Sequence, residues 1–166
     1  MIWMTLYGRE IFWSVTIILL FILGGWTGKK VALVMGICMI ILVPIGVMIK
    51  EIVQRQRPLI PKEDYILAAD AEYAFPSGHA LIVSANAAVA LALFRITRKQ
   101  QIISLLLALE AALVCISRIY VGGHYPLDVV GGILLGVGIS FIVIGLHNSI
   151  ETKIMIPVKK RFEGST

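Results

Sequence analysis

Residues 31–49 read VALVMGICMIILVPIGVMI, an uncharged run that stops at Lys50. A helix of that length, at about 1.5 Å per residue, comes close to the ~30 Å hydrocarbon core of a bilayer. Four further stretches of the same kind lie at residues 11–28, 79–94, 102–117 and 129–146. Lipid offers a backbone no hydrogen-bond partner, so each stretch must satisfy its own peptide groups and is expected as a helix. The composition agrees: 58% of the 166 residues are hydrophobic and 15% charged. The mean hydropathy is +0.91. A soluble domain carries roughly 45–50% apolar and about 25% charged residues, and so few charges could not cover a water-facing surface. A soluble globular domain, a disordered chain, a coiled coil and a disulfide scaffold are excluded. The expected class is all-α, a polytopic bundle of about five transmembrane helices forming one domain over residues 1–166.

The connections carry the remaining detail. Lys29 and Lys30 read as a tight turn between the first two spans. A long polar segment, residues 50–74, holds half of the acidic residues, and a polar tail follows residue 146. The opening residues lack the basic start and cleavage site of a signal peptide, so the first span reads as retained. Residues 1–10, with Trp3 and Tyr7, read as an interfacial anchor. Pro44 is expected to kink the second span. Gly132 and Gly136 are expected to let helices approach closely within the chain. Cys38 and Cys115, both in apolar runs, read as inert buried thiols.

Five spans put the amino terminus, the 50–74 segment and the loop after Arg118 on one face, with Arg9, Lys50, Arg55, Arg57, Lys62 and Arg118. The other nine lysines and arginines fall on the opposite face. Positive residues favour the cytoplasm, so the first face is expected outside and the carboxyl terminus inside. The Lys159-Lys160-Arg161 run reads as a contact for anionic headgroups rather than nucleic acid.

Polar residues gather where three spans meet the expected outer face. Lys50 ends the second span and Arg57-Pro58 follows. Pro76-Ser77-Gly78-His79 opens the third, Ser117-Arg118 closes the fourth, and His124 and Asp128 open the fifth. Three cations and a Ser-Gly helix start suit an anion, because unpaired N–H groups at a helix N-terminus add to the positive field. Such a cage would hold the charge of a phosphoryl group in transfer. His124 and Asp128, four apart, can meet on one helix face. An aspartate on one ring nitrogen leaves the other free to attack, and His79 can protonate the leaving oxygen. No cluster with metal-ligand spacing is evident. Glu110, in mid-span, is a further candidate, either hydrogen-bonded between helices or tuning the site from below. A transporter is disfavoured because the charged groups cluster at one face and no inverted repeat is visible. A non-catalytic binder is disfavoured because both histidines are present.

The three blocks KEIVQRQRP (residues 50–58), PSGH (76–79) and SRIYVGGHYPLD (117–128) match, in order and spacing, K-x6-R-P, P-S-G-H and S-R-x5-H-x3-D. The chain thus resembles the type 2 phosphatidic acid phosphatase superfamily of membrane lipid phosphatases over about residues 31–146. The resemblance implies a phosphohistidine on His124 with Asp128 as its partner, His79 as general acid, and Lys50, Arg57, Ser77, Gly78 and Arg118 on the phosphate. Pro58, Pro76 and Ser117 would support the site. It implies no metal ion or other cofactor, a lipid in the bilayer as the partner, and no obligate protein partner. The substrate it favours is a polyprenyl diphosphate such as undecaprenyl diphosphate, with phosphatidylglycerophosphate or phosphatidate as the alternative. Typical members have six spans where this sequence reads as five. A lid over residues 59–74, whose acids would limit which headgroups enter, completes the expectations.

Overall fold

The computed structural model describes residues 10–58 and 73–150. These form five α-helices and, among the described residues, no strand. They are α1 (Glu10–Leu23), α2 (Gly25–Val53), α3 (Gly78–Leu93), α4 (Arg98–Tyr120) and α5 (Pro126–Ile150). Helices α2, α4 and α5 are long and apolar enough to cross a bilayer, and α1 and α3 are shorter apolar helices. The chain is a multi-pass helical bundle, as its apolar runs require. The expected interfacial anchor, nearly all of the expected lid and the Lys159-Lys160-Arg161 run lie outside the described residues.

The first turn is not where the lysines suggested. It falls at Gly24 and Gly25, where Gly25 takes φ +62°, a left-handed conformation open to glycine without steric penalty. The turn is tight because the Gly24 N–H donates to the Leu20 carbonyl at 3.0 Å and the Gly28 N–H to the Gly24 carbonyl at 2.9 Å. Lys29 and Lys30 stand inside α2. Their ammonium groups lie 5.8 Å from the Phe21 ring and 5.7 Å from the Trp26 ring, so their apolar stems cover the helix while their charges rest on aromatic faces. Pro44 is accommodated within α2, which continues through it to Val53.

At the opposite end from the signature residues, α4 starts on a capping box. Thr97 Oγ1 accepts from the Gln100 N–H at 3.3 Å, and Gln100 Oε1 accepts from the Thr97 N–H at 3.2 Å. One turn later the buried Ser104 hydroxyl lies 2.7 Å from the Phe94 carbonyl and 3.0 Å from that of Ala90. This ties α4 to the last turn of α3, where the Ala90 carbonyl also accepts from the Phe94 N–H at 2.8 Å.

Helix α3 is the axis of the bundle. It packs most extensively on α5, with α4 and α2 on its other sides, and Leu81, Val83, Ala85, Val89 and Ala90 are buried along it. The α3–α5 seam depends on glycine. A Cβ on Gly132 would stand 2.7 Å from the Ser77 carbonyl oxygen, and one on Gly136 would run into the Leu81 carbonyl and the Ser84 hydroxyl. The small-residue pair therefore serves packing within the chain, as its spacing suggests. Cys38 and Cys115 are buried and unpaired by any disulfide. This packing brings the end of α2, the start of α3, the end of α4 and the start of α5 to one end of the bundle.

A side chain at Gly136 would meet backbone that cannot move aside. Gly136→Leu should therefore destabilise the bundle by at least the ~1–3 kcal/mol typical of overpacking. Thermal unfolding in detergent, followed by size-exclusion chromatography, checks this. Gly138→Ala is the control, since nothing lies within 4 Å of a Cβ at that position.

Candidate functional site

The start of α5 builds the first part of the site. Pro126 takes the first helical position, where its missing N–H is no loss, and Asp128 Oδ2 reaches back to the Tyr125 N–H at 2.9 Å. This is half of a capping box, and it holds the Asp128 carboxylate at the helix entrance. The neighbouring start of α3 is tied to it by backbone: the Ser77 N–H donates to the Asp128 carbonyl at 3.0 Å. Ser77 itself is fully buried and caps α3 from an extended conformation, and its hydroxyl has no hydrogen-bond partner. A buried hydroxyl without a partner, set at a helix start where the first N–H groups have no acceptor within the helix, suits an anion.

His124 is buried between these two helix entrances. Its Nδ1 lies 2.8 Å from the Ala74 carbonyl, so Nδ1 carries the proton and donates it there. Asp128, read from the sequence as the partner of this ring, lies close beside it but makes no direct hydrogen bond to it. Asp128 Oδ2 stands 3.8 Å from Nδ1, beyond hydrogen-bond range, because the carboxylate is engaged by the Tyr125 N–H and by Arg55 at 2.8 Å. The other ring nitrogen, Nε2, faces cations. Arg57 Nη1 lies 3.5 Å from it and donates to the Gly123 carbonyl at 2.9 Å.

Arg118, in the last turn of α4, is buried, and its guanidinium lies so close to Gly123 that a Cβ there would stand 3.1 Å from Nη2. The glycine at 123 thus opens room for the arginine. Lys50 is buried in the last turn of α2 and acts on His124 through its charge. His79 and Gly78 open α3 next to Ser77, both half-buried at the rim. Pro58 and Pro76 flank the two irregular segments. Ser117 is buried, and its hydroxyl donates to the Val114 carbonyl at 2.7 Å, a bond within its own helix. The fold thus gathers the three sequence blocks at one end. Glu110 stays apart, in mid-helix against the Trp13 indole.

Two groups at the site escaped the sequence. The Ala74 carbonyl belongs to the backbone, so no side chain announces it. Arg55 is visible only as the extra cation in RQRP, where alternate residues of an extended segment point the same way.

The electrostatics follow from this placement. Burial, then Arg57 and Arg118, and finally Lys50 oppose a positive charge on His124, while the Ala74 hydrogen bond favours one. The pKa of the ring is pushed down to about 2. The ring is therefore neutral at physiological pH, with its Nε2 lone pair directed into a cluster of cations. Three buried or half-buried cations, a helix start and an unpartnered hydroxyl suit a tetrahedral oxyanion beside a neutral imidazole.

Comparison with known proteins agrees with this geometry. A model of the PAP2 superfamily matches residues 27–150. An undecaprenyl-diphosphatase of Sulfolobus acidocaldarius is 35% identical over 162 residues, which are 96% of this chain and 72% of that protein. Phosphatidylglycerophosphatase B of Bacillus subtilis is 29% identical over 133 residues, 76% of this chain and 61% of that protein. The crystal structure of a transmembrane PAP2 type phosphatidylglycerolphosphate phosphatase from Bacillus subtilis superposes with a TM-score of 0.66 at 27% identity. The match covers 89% of this chain and 74% of that one.

The depressed pKa has a direct consequence. The His124 ring should stay neutral between pH 8 and pH 5, where an ordinary histidine with a pKa near 6.5 takes up a proton. In protein labelled with 15N at histidine, the Nε2 resonance of His124, assigned by its loss in His124→Gln, should not move over this range. With a family model spanning most of its length, and its three polar blocks folded to one end, the chain belongs to the PAP2 superfamily and is a membrane-embedded lipid phosphatase.

Proposed function

We propose that the protein removes the terminal phosphate of a polyprenyl diphosphate, leaving the monophosphate, through a phosphohistidine on His124. The observation that carries this reading is the His124 ring, with Nδ1 held by the Ala74 carbonyl and Nε2 facing Arg57 within the cation cluster. Nε2 attacks the terminal phosphorus and forms an N–P bond as the bond to the bridging oxygen breaks. His79 donates its proton to that oxygen, and then, as a base, takes one from the water that cleaves the N–P bond. Lys50, Arg57, Arg118, Ser77 and Gly78 hold the phosphoryl oxygens throughout, acting on charge that is greatest in the transition state. The developing imidazolium is balanced by Asp128, 3.8 Å from Nδ1. No metal ion takes part in this sequence.

The substrate class rests on two supports. One is the 35% identity to an undecaprenyl-diphosphatase over nearly the whole chain. The other is a hollow of about 860 Å³ between α3, α4 and α5, walled by small residues such as Ala87, Ala88, Ala108 and Ala112. Ile119 and Pro126, which flank the His124 loop, bound one end, and Arg95 and Phe141 the other. From Pro126 to Phe141 is about 22 Å of helix at 1.5 Å per residue. That exceeds the ~15 Å depth of one leaflet, which half of a ~30 Å hydrocarbon core allows. A diacyl lipid ends near the bilayer centre, whereas a long polyprenyl chain can use the full groove. The Bacillus subtilis relatives favour phosphatidylglycerophosphate as the second reading. The charge asymmetry between the two faces supports a site on the extracytoplasmic side with the carboxyl terminus in the cytoplasm.

Phosphate release by the purified protein tests the reading. Undecaprenyl diphosphate should be hydrolysed with EDTA present, the activity should vanish in His124→Ala, and acid-labile phosphate should be trapped on the wild type alone. Greater release from phosphatidylglycerophosphate would establish the second reading instead. A bulky side chain in the groove separates tail from headgroup. Ala112→Phe should lower kcat/KM for the undecaprenyl substrate roughly tenfold, the equivalent of about 1.4 kcal/mol of lost contact, and leave farnesyl diphosphate unchanged.

A further inference from the structure

Arg55 sits at an unspecified position within the first signature block, and it makes three contacts around His124. Its Nη1 is 2.8 Å from Asp128 Oδ1, with the arginine side chain 34% exposed and the aspartate fully buried. Its guanidinium carbon sits 4.5 Å from the centre of the Tyr125 ring, the residue before the α5 start. Its backbone carbonyl accepts the Ala74 N–H at 2.8 Å, and the Ala74 carbonyl in turn accepts from His124 Nδ1 at 2.8 Å. One residue thereby joins the two groups that compete for the same ring nitrogen.

We propose that Arg55 is a positioning residue for the reaction: by pairing with Asp128 and holding the segment that carries Ala74, it keeps His124 Nδ1 on the Ala74 carbonyl in the resting site. The inference rests on the phosphohistidine reading above. The physical reason is competition for one proton. A carboxylate 3.8 Å from Nδ1 would otherwise be a stronger acceptor for it than a carbonyl. With its Oδ1 paired to Arg55 and its Oδ2 on the Tyr125 N–H, the carboxylate is satisfied without the ring. The charged and titratable groups on the elements around His124 are Lys50 on α2, Arg55 and Arg57 on the segment after it, His79 on α3, Arg118 on α4 and Asp128 on α5. Removing Arg55 leaves Asp128 unmatched on that side and able to draw Nδ1 from the carbonyl. The Tyr125 stack and the backbone bond to Ala74 make the device geometric as well as electrostatic: Arg55 binds the segment that carries the orienting carbonyl to the helix that carries the carboxylate.

The test uses full-length protein in detergent, with vanadate as the phosphate probe. Arg55→Gln should lower kcat by about tenfold or more, as loss of a positioning interaction does. It should leave the inhibition constant of vanadate unchanged, because Arg55 does not hold the phosphate. At pH 7 the Nδ1 resonance of His124, followed by 15N NMR, should move as its hydrogen bond passes from the Ala74 carbonyl to the Asp128 carboxylate. Arg55→Lys should recover most of kcat and return the resonance toward wild type. The double variant Arg55→Gln/Asp128→Asn, with the carboxylate gone, should also return the resonance. A vanadate constant that weakens while kcat is unchanged would make Arg55 a phosphate ligand and overturn the assignment. So would a His124 Nδ1 resonance that stays unmoved in Arg55→Gln, or one that stays displaced in the double variant. If Arg55→Gln does not fold, the lysine and double variants decide by the same resonance. Failure of wild-type protein to release phosphate, or release by His124→Ala at the wild-type level, would instead remove the phosphohistidine reading itself.

Discussion

Backbone contact between α3 and α5 is the constraint on which the site depends. Gly132 and Gly136 let α5 lie directly against the Ser77 and Leu81 carbonyls, and any larger residue would hold the two helices apart. Only at that separation can the Ser77 N–H reach the Asp128 carbonyl and fuse two helix starts into one surface. The same proximity seats the Phe75 ring on Gly131, where a Cβ would collide with it. Phe75 follows Ala74, so the packing that holds the aromatic ring also holds the carbonyl on which His124 depends. In lipid, helices gain little from burying apolar surface against one another, which leaves close packing and hydrogen bonds to hold this register.

The cations at this end would be costly in an apolar setting if nothing answered their charge. Arg118 and Lys50 are almost fully buried, and Asp128, the buried anion at their end among the described residues, is already paired with Arg55. The arrangement sets Lys50, Arg57 and Arg118 around a ring that is itself neutral. On the proposed reading, the field that lowers the proton affinity of His124 is also the field that would draw in a phosphate, and it would be in place before the phosphate arrives.

How much of this was legible in the sequence follows from the range of the forces involved. Apolar runs of span length are a property of contiguous residues, so the five helices and their all-α class could be read directly. The signature blocks were legible as well, because helix starts and ends declare themselves through Pro, Ser, Gly and Asp at fixed offsets. The turn at Gly24 and Gly25 was misplaced because charge drew attention to Lys29 and Lys30, while the aromatic faces that accept those lysines come from packing. The Ala74 carbonyl on His124 Nδ1 was not legible for a related reason. Spacing places Asp128 on the face of His124, but it cannot show that Arg55 and the Tyr125 N–H have claimed the carboxylate first. Contacts between distant segments, 50 residues apart for His124 and Ala74 and 73 for Arg55 and Asp128, exist only in the folded chain.

This division has a chemical meaning. On the proposed reading, the residues that the signature specifies are those that would meet the phosphate, whose demands on charge and geometry vary little between one lipid phosphate and another. The residues that orient the nucleophile need only present a hydrogen-bond acceptor at the right place, which a backbone carbonyl does as well as a carboxylate. A carbonyl has a fixed, uncharged dipole, so it can hold Nδ1 without drawing a full positive charge onto the ring. On the proposed reading, Asp128 at 3.8 Å would be near enough to steady the ring once it bears a phosphoryl group and too far to tie it down beforehand. Separating the group that orients from the group that balances charge would then let one histidine be neutral when it attacks and cationic once it has attacked.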